Sequence, residues 1–240
     1  MSELRTLLAD TATKVLASEN ANWREAGLDK VLVAEDRDGF GGGWEDALIV
    51  MRAAGSIGGI EGLAEAVVAN DPHKANDAKR LLALATTCQM AGAMSAALEL
   101  TLQYARERQQ FGKALSTFQA IQQQLAVFAE EVAATNMAAA SACRARDRGP
   151  AQFEIAAAKL RANIAVGTVT SVAHQVHGAM GFTKEYKLQR LTRALWQWRS
   201  DCGNDRFWSD ELGRIVARQG ADGFWPALVS PATIGTSGSA

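Results

Sequence analysis

Small and apolar residues recur at steps of three and four through one long stretch of this chain, and this pattern constrains its fold most. The residues on the repeating face are Leu81, Leu84, Cys88, Ala91, Ser95, Leu98 and Leu102. This spacing predicts an amphipathic α-helix over Asp77–Gln110. Of 240 residues, 46 are alanine and only 4 are proline. We therefore predict an all-α chain whose helices pack closely.

Further helices are predicted on both sides of this stretch. Their ranges are 3–19, 44–54 and 60–70 before it, and 116–148, 153–176, 184–200 and 204–218 after it. Glycine runs at 39–43 and 55–59 interrupt the first part, and the turn-rich segment NDPHKAND (Asn70–Asp77) forms the clearest boundary. The predicted organisation is a short N-terminal helical lobe with linker (1–76), an up-down helical bundle (77–226) and a disordered tail (227–240).

Charge and cysteine usage exclude several classes of protein. The net charge is −1, which argues against a general binder of nucleic acid or of membrane surfaces. Residues 1–76 carry −6 and residues 77–240 carry +5. The three dispersed cysteines form no C-x-x-C pair, and neither a signal peptide nor a membrane span is evident. We expect a cytoplasmic protein.

The motif search finds no complete site of a common kind. The glycine runs lack the phosphate-loop pattern, and no G-x-S-x-G or Ser/His/Asp arrangement is present. His174 and His177 lie one helical turn apart, but no Cys, Asp or Glu accompanies them, so no metal site is predicted. Gln175, followed by Gly178 and Ala179, places a polar side chain beside a turn that lets a nucleotide approach the backbone.

The segment from Tyr104 to Lys113 is the most informative. Arg106, Arg108 and Lys113 can be read as cations that complement a helix dipole at its C-terminus. Alternatively, the planar guanidinium of Arg108 can bind a phosphate oxygen, with the ring of Phe111 beside it. Ser116-Thr-Phe-Gln119 matches a capping box, which gives Gln119 a structural role without a ligand.

The run YARERQQFGKALSTFQAIQQQLA (Tyr104–Ala126) strongly resembles the C-terminal helical domain of acyl-CoA dehydrogenases. The resemblance continues through AAAKLRANIA (Ala156–Ala165) and AHQVHGAMGFTKEYKLQRLTR (Ala173–Arg193). GLDKVLVAEDRDGFGGGWED (Gly27–Asp46) is more weakly similar to the N-terminal helical domain of that family. Together these segments involve about 200 of the 240 residues.

The resemblance implies an FAD site shared between two subunits. In the family these segments bind the ADP part of an FAD whose isoalloxazine lies in the neighbouring subunit. The resemblance assigns the pyrophosphate to Arg108 and contact with the flavin nucleotide to Phe111. Gln110 occupies a position that is polar in the family. The residues that would line the ADP moiety are Gln119, Gln175, Gly178 and Ala179.

The chain departs from the family in two places. The β-rich middle domain, which covers the flavin ring and helps to bind the thioester, has no counterpart, because no strand-rich segment exists. The family's catalytic Glu is also missing. In the turn where it commonly lies, the sequence reads Ser200-Asp201-Cys202-Gly203-Asn204, and at the alternative location this chain has Lys79-Arg80.

We therefore hypothesise a small subunit of a heteromeric, FAD-dependent acyl-CoA dehydrogenase, with two copies of each subunit and no catalytic residue of its own. A full-length large subunit would supply the catalytic Glu and hold most of the acyl-CoA. The analogy to sterol-degrading members of the family suggests a steroid-derived acyl group. An electron-transfer flavoprotein would accept the electrons. Two alternatives stay open. One is a self-sufficient homo-oligomeric enzyme that uses Asp201 as its base, and the other is a flavin-free structural subunit.

Overall fold

The computed structural model describes residues 3–18, 22–72 and 77–229. In the N-terminal lobe the helices are α1 (Glu3–Ala17), α2 (Trp44–Ser56) and α3 (Leu63–Ala69). In the bundle they are α4 (Ala78–Glu107), α5 (Gln119–Arg146), α6 (Gln152–His177), α7 (Lys187–Ser200) and α8 (Asp205–Val229). A two-stranded hairpin, β1 (Gln109–Gln110) with β2 (Lys113–Ala114), joins α4 to α5. The all-α prediction is confirmed.

Helix α4 is the centre of the molecule. It packs against α2 and α3 of the lobe and against α5, α6 and α7 of the bundle. By length and hydropathy α4 could cross a membrane, but 78% of its most apolar window is buried among the other helices. This burial is what a central helix of a helical bundle requires, since it has neighbours on every side.

The lobe and the bundle meet where α2 crosses α4 without intervening side chains. A Cβ atom on Gly55 would lie 1.9 Å from the backbone oxygen of Gln89, and one on Gly92 would lie 2.1 Å from the backbone oxygen of Arg52. Real Cβ atoms do not approach backbone so closely, so the crossing requires glycine on both helices. We call this contact of α2 with α4, together with the adjoining end of α5, the lobe seam.

Polar contacts complete the lobe seam. Asp147, which follows α5, accepts the backbone N–H groups of Trp44 at 2.6 Å and of Glu45 at 3.1 Å, and so caps the N-terminus of α2. Asp71 is 3% exposed and accepts both the Trp44 indole N–H, at 2.7 Å, and the Arg146 guanidinium, at 3.0 and 3.1 Å. The lobe is therefore fixed to the bundle by charge as well as by close packing.

Several predicted boundaries shift by a few residues. Helix α2 continues through Gly55 to Ser56, because Gly55 is needed inside the helix at the crossing with α4. The predicted helix at 60–70 shortens to α3, since Gly58, Gly59 and Gly62 adopt positive φ angles before it.

The end of the chain is more helical than predicted. Helix α8 extends beyond residue 218, with non-helical angles at Gly220, and it includes residues 227–229 of the predicted tail. Residues 230–240 of that tail, and 73–76 of the predicted linker, lie outside the described residues.

Candidate functional site

Four helix termini meet at one end of the bundle. Because α4, α5, α6 and α7 alternate in direction, the C-termini of α4 and α6 lie beside the N-termini of α5 and α7. Ala105, Leu125 and Val176, from α4, α5 and α6, form a buried apolar cluster there. The rings of Tyr104 and His177 are 4.5 Å apart. This end, which we call the open end, brings the two predicted site segments, 108–119 and 175–179, together.

The hairpin at the open end presents Phe111 to solvent. Gln109 pairs with Ala114 and Gln110 with Lys113, which leaves Phe111 and Gly112 as a two-residue turn with φ angles of 53° and 79°. Positive φ at both positions is the type I′ geometry that matches strand twist. The ring of Phe111 is 89% exposed and its one aromatic contact among the described residues is with Phe118, at 6.4 Å.

Arg108 lies between α4 and the hairpin. Its backbone N–H donates to Tyr104 and its backbone oxygen accepts from Leu115, so the main chain is held on both sides. The side chain is exposed, and within the described ranges it forms no salt bridge. A fixed backbone carrying an unpaired, permanently charged fork suits the binding of an anionic oxygen.

The capping box predicted at Ser116-Thr-Phe-Gln119 is wrong. Leu115–Thr117 form a turn of 3₁₀-helix, so α5 begins at Gln119, and no side chain caps it at Phe118. Ser116 instead accepts the Gln122 side-chain amide at its backbone oxygen. Gln119 is exposed, and its side chain is left available at the open end.

The end of α6 supplies the other predicted residues. Gln175, Gly178 and Ala179 are all exposed, and Gly178 ends the helix with a φ of 58°. A Cβ atom on Gly178 would meet no atom within 4 Å, so the space beside its backbone is open. A groove of about 530 Å³ runs from this point between α6 and α7. Its lining comprises Gly167, Thr170, Ser171, His174, Gln175, Gly178, Phe182 and Trp196.

The two histidines of α6 are held as aromatic packing groups. His174 stacks on Phe182 at 4.2 Å, and its Nε2 lies 3.1 Å from the Thr192 hydroxyl. His177 is 2% exposed, contacts the Ala173 oxygen through Nδ1 and lies against Tyr186. Burial lowers the pKa of both. No group of three or more His, Cys, Asp or Glu among the described residues could hold a metal ion.

The open end offers groups that could hold the ADP part of a dinucleotide. These are the exposed guanidinium of Arg108, which has no salt-bridge partner among the described residues, the open backbone at Gly178, and the exposed side-chain amides of Gln119 and Gln175. His174, which lines the same groove, has a buried Nδ1 atom without a hydrogen-bond partner among the described residues. All seven predicted site residues, Gln110 and Ala179 included, are exposed. A ligand or a second chain can therefore reach every one of them.

The opposite end of the bundle holds the turn in which the resemblance places a catalytic Glu. Cys202 occupies that position with a φ of 59° and packs in an apolar cluster with Ala156 and Trp208. Burial raises the pKa of its thiol. A half-buried thiol in apolar surroundings is a poor general base.

A buried lysine supports this turn, and sequence reasoning missed it. Lys159 is fully buried, and its Nζ donates to the Asn163 side chain at 2.5 Å and to the Trp198 backbone oxygen at 2.8 Å. Asn163 in turn donates to the Gly203 oxygen at 3.4 Å. Burial lowers the pKa of Lys159 to about 8. The available signal was a charged residue on the apolar face of α6, between Ile155 and Ala162.

Phe182 and Trp196 were also missed as members of the groove. They are 66% and 48% exposed, although both are large and apolar. Trp196 follows Leu195 but lies off the buried face of α7, which comprises Leu188, Leu191, Thr192 and Leu195. An aromatic residue on the polar face of an amphipathic helix was the signal that could have found it.

The chain is similar in sequence to known proteins. Residues 80–196 match the family described as acyl-CoA dehydrogenase, C-terminal domain. The probable acyl-CoA dehydrogenase YngJ of Bacillus subtilis is 40% identical over 103 residues, which are 42% of this chain and 27% of YngJ. The chain thus spans about a quarter of the length of the curated relatives it matches first.

Solved structures show the same fold. The glutaryl-coenzyme A dehydrogenase complex with glutaryl-CoA is 27% identical, with a TM-score of 0.55 over 65% of this chain and 38% of that chain. A variant of the Tcur3481-Tcur3483 steroid ACAD gives a TM-score of 0.77 at 17% identity, over 91% of this chain and 99% of the other. The second likeness concerns the fold alone, and it extends over nearly the whole of both chains.

Proposed function

Residues 80–196 belong to the acyl-CoA dehydrogenase C-terminal domain family, and from this premise we propose that the chain is the small subunit of a heteromeric, FAD-dependent acyl-CoA dehydrogenase. The observation that carries the proposal is the open end, where all seven predicted site residues are exposed around an unpaired Arg108. Such a surface is half of a site, since none of the described residues encloses a ligand there.

In this proposal the chain closes the ADP side of an FAD held mainly by a full-length partner. Arg108 binds the pyrophosphate, Phe111 packs on the nucleotide, and Gln110 is a polar neighbour on the hairpin. Gln119, Gln175, Gly178 and Ala179 line the ADP moiety. The FAD that these residues would help to hold would supply the acceptor for the hydride from the β-carbon of an acyl-CoA. An electron-transfer flavoprotein would then reoxidise the enzyme.

The partner must supply the base that takes the α-proton. Here the corresponding turn holds a half-buried Cys202, and hydrogen bonds from Lys159 and Asn163 hold the backbone on both sides of it. Asp201 is next to Cys202, so it lies one residue away from the position of the family's Glu, and its side chain is shorter. A general base must be within hydrogen-bond reach of the proton that it removes before its pKa matters. The described residues form no strand-rich middle domain either. Two copies of each subunit would make a heterotetramer.

A bulky, steroid-derived acyl-CoA is the proposed substrate class. The support is the likeness in fold to a chain of a steroid ACAD, since this chain covers 99% of that chain. The two chains are therefore similar in extent and in all-α architecture. This support rests on fold, and the pocket that selects the acyl group would lie mainly in the partner.

The proposal is tested by co-expression with a full-length acyl-CoA dehydrogenase encoded beside this chain. We expect the chain to be colourless alone and the purified complex to be yellow, with one FAD per pair of subunits. Arg108→Ala should lower the FAD content of the complex at least tenfold after gel filtration, with unchanged assembly. Arg206→Ala is the matched control, because this exposed arginine lies on α8, away from the open end.

The alternatives predict different results. A self-sufficient enzyme would be yellow and active alone, and Asp201→Asn would abolish that activity. A structural subunit without a role at the flavin would give a complex whose FAD content is the same with Arg108→Ala as with Arg206→Ala.

A further inference from the structure

Two of the three cysteines, which are 55 residues apart in sequence, meet in the core. The Sγ atoms of Cys88 on α4 and Cys143 on α5 lie 3.5 Å apart, and both residues have 0% exposure. Both are free thiols. The spacing along the chain gave no hint of this contact, because it depends on how α4 and α5 align.

The geometry points to an intramolecular disulfide between Cys88 and Cys143 as an oxidative modification of this chain. A disulfide requires sulfurs about 2.05 Å apart, so each Sγ would need to move by about 0.7 Å.

The position of the pair decides what the bond would do. Cys88 precedes Gln89, and the backbone oxygen of Gln89 lies against Gly55 where α2 crosses α4. Cys143 lies one helical turn before Asp147, the residue that caps α2. A covalent link here joins the two helices to which α2 is docked, and it would fasten the lobe seam.

The chemistry balances with a disulfide oxidant such as oxidised glutathione. The thiolate of one cysteine attacks a glutathione sulfur and releases one glutathione thiolate, and the other cysteine then attacks the protein sulfur of the mixed disulfide and releases the second. Each protein thiol loses its proton, and the two electrons reduce one oxidised glutathione to two thiols.

Burial controls when this reaction can occur. The apolar surroundings and the contact with Cys88 raise the pKa of the Cys143 thiol well above its usual value. Only the thiolate attacks a disulfide. Oxidation therefore has to pass through an opening of the seam, or precede its closure during folding, whereas the half-buried Cys202 can react first.

The experiment refolds the full chain carrying Cys202→Ser in a mixture of oxidised and reduced glutathione, and in parallel with dithiothreitol. We expect the oxidised sample to be monomeric, to lack two hydrogen atoms by intact mass, and to yield a peptide pair linking residues 88 and 143. Its Tm should rise by on the order of 10 °C, because a loop of this length constrains the unfolded chain strongly. Cys88→Ser and Cys143→Ser in the same background should show no rise.

Three results would overturn the inference. These are glutathione adducts or linked dimers in place of the internal bond, refolding in the oxidised mixture that leaves both thiols free, and an internal bond that lowers the Tm. The role of the seam has its own test in the native chain. When the native chain reacts with oxidised glutathione, Cys202 should be modified first, and mild urea should accelerate the reaction of Cys88 and Cys143. Equal reaction rates for all three thiols would show that the closed seam does not protect the pair.

Discussion

The lobe seam and the open end share the helices α4 and α5, but they satisfy opposite requirements. At the lobe seam, Gly55 and Gly92 leave no room for even one methyl group, and Asp71 is paired with Arg146. At the open end Gly178 faces open space, as does Gly167 in the groove that runs from it, and Arg108 forms no salt bridge among the described residues. The seam is complete within this chain, whereas the open end is not.

This difference indicates which region serves folding and which serves association. Close packing and satisfied buried charge stabilise a fold, and exposed aromatic and cationic groups are more useful to a partner or ligand. Substitutions at the lobe seam should therefore change the free energy of unfolding of the isolated chain. Substitutions at the open end should mainly change what the chain binds.

The largest effect is expected from Asp71→Ala. It leaves the buried guanidinium of Arg146 without its carboxylate and the Trp44 indole without its acceptor. Breaking a buried ion pair on one side costs about 3–5 kcal/mol. Urea unfolding should show this loss, whereas Lys30→Ala, which removes an exposed ion pair with Asp38, should leave the midpoint unchanged. Equal midpoints for both variants would contradict the assigned role of the seam.

The same substitution at two glycines gives a sharper comparison. Gly55→Ala should lower the free energy of unfolding by about 3 kcal/mol, because its methyl group would meet the rigid backbone of Gln89. Gly167→Ala should raise it by about 0.5–1 kcal/mol, since it removes a helical glycine where nothing lies within 4 Å. Urea unfolding of both variants measures the two signs. A shared sign would show that the two regions do not differ in packing as described.

Phe111→Asn separates stability from association. Phe111 holds a positive φ that asparagine adopts more readily, and Asn-Gly is a preferred type I′ turn. The isolated chain should gain up to about 1 kcal/mol, while the complex with the partner should retain less FAD. Thermal unfolding and FAD absorbance measure the two effects. A variant that lowers both quantities would indicate that Phe111 supports the fold rather than the cofactor.

The smallest effect concerns pH. His174 and His177 have pKa values below 6.5 in the folded chain because they are buried, so the unfolded chain binds protons first as the pH falls. The free energy of unfolding should thus be highest above pH 6.5 and decrease as the pH falls through 6.5 towards the lower folded values. His177→Gln should weaken this dependence in urea titrations at pH 7.5 and pH 5.5. A slope of the same size in both chains would exclude His177 as a contributor.

Sequence reasoning was most successful where the signal is local and periodic. The small-residue repeat predicted α4 to within a few residues, and the motif around Arg108 and Phe111 was placed at the correct end of a helix. The capping box was wrong because a turn of 3₁₀-helix at Leu115–Thr117 displaces the start of α5. That choice depends on how Leu115 and Ile121 pack against the ends of α4 and α6, which no local motif reports.

The sequence by itself determined that this chain is all-α, where its long helices lie, and which residues carry the family motif. These properties follow from periodicity and from chemistry carried by neighbouring residues. Only the tertiary structure decided that Cys88 touches Cys143, that Lys159 is buried behind Cys202, and that segments 108–119 and 175–179 share one exposed end. The physical reason is that each of these facts depends on the alignment of helices far apart in sequence. That alignment is fixed by the whole core, and by contacts as specific as Gly55 against the backbone of Gln89.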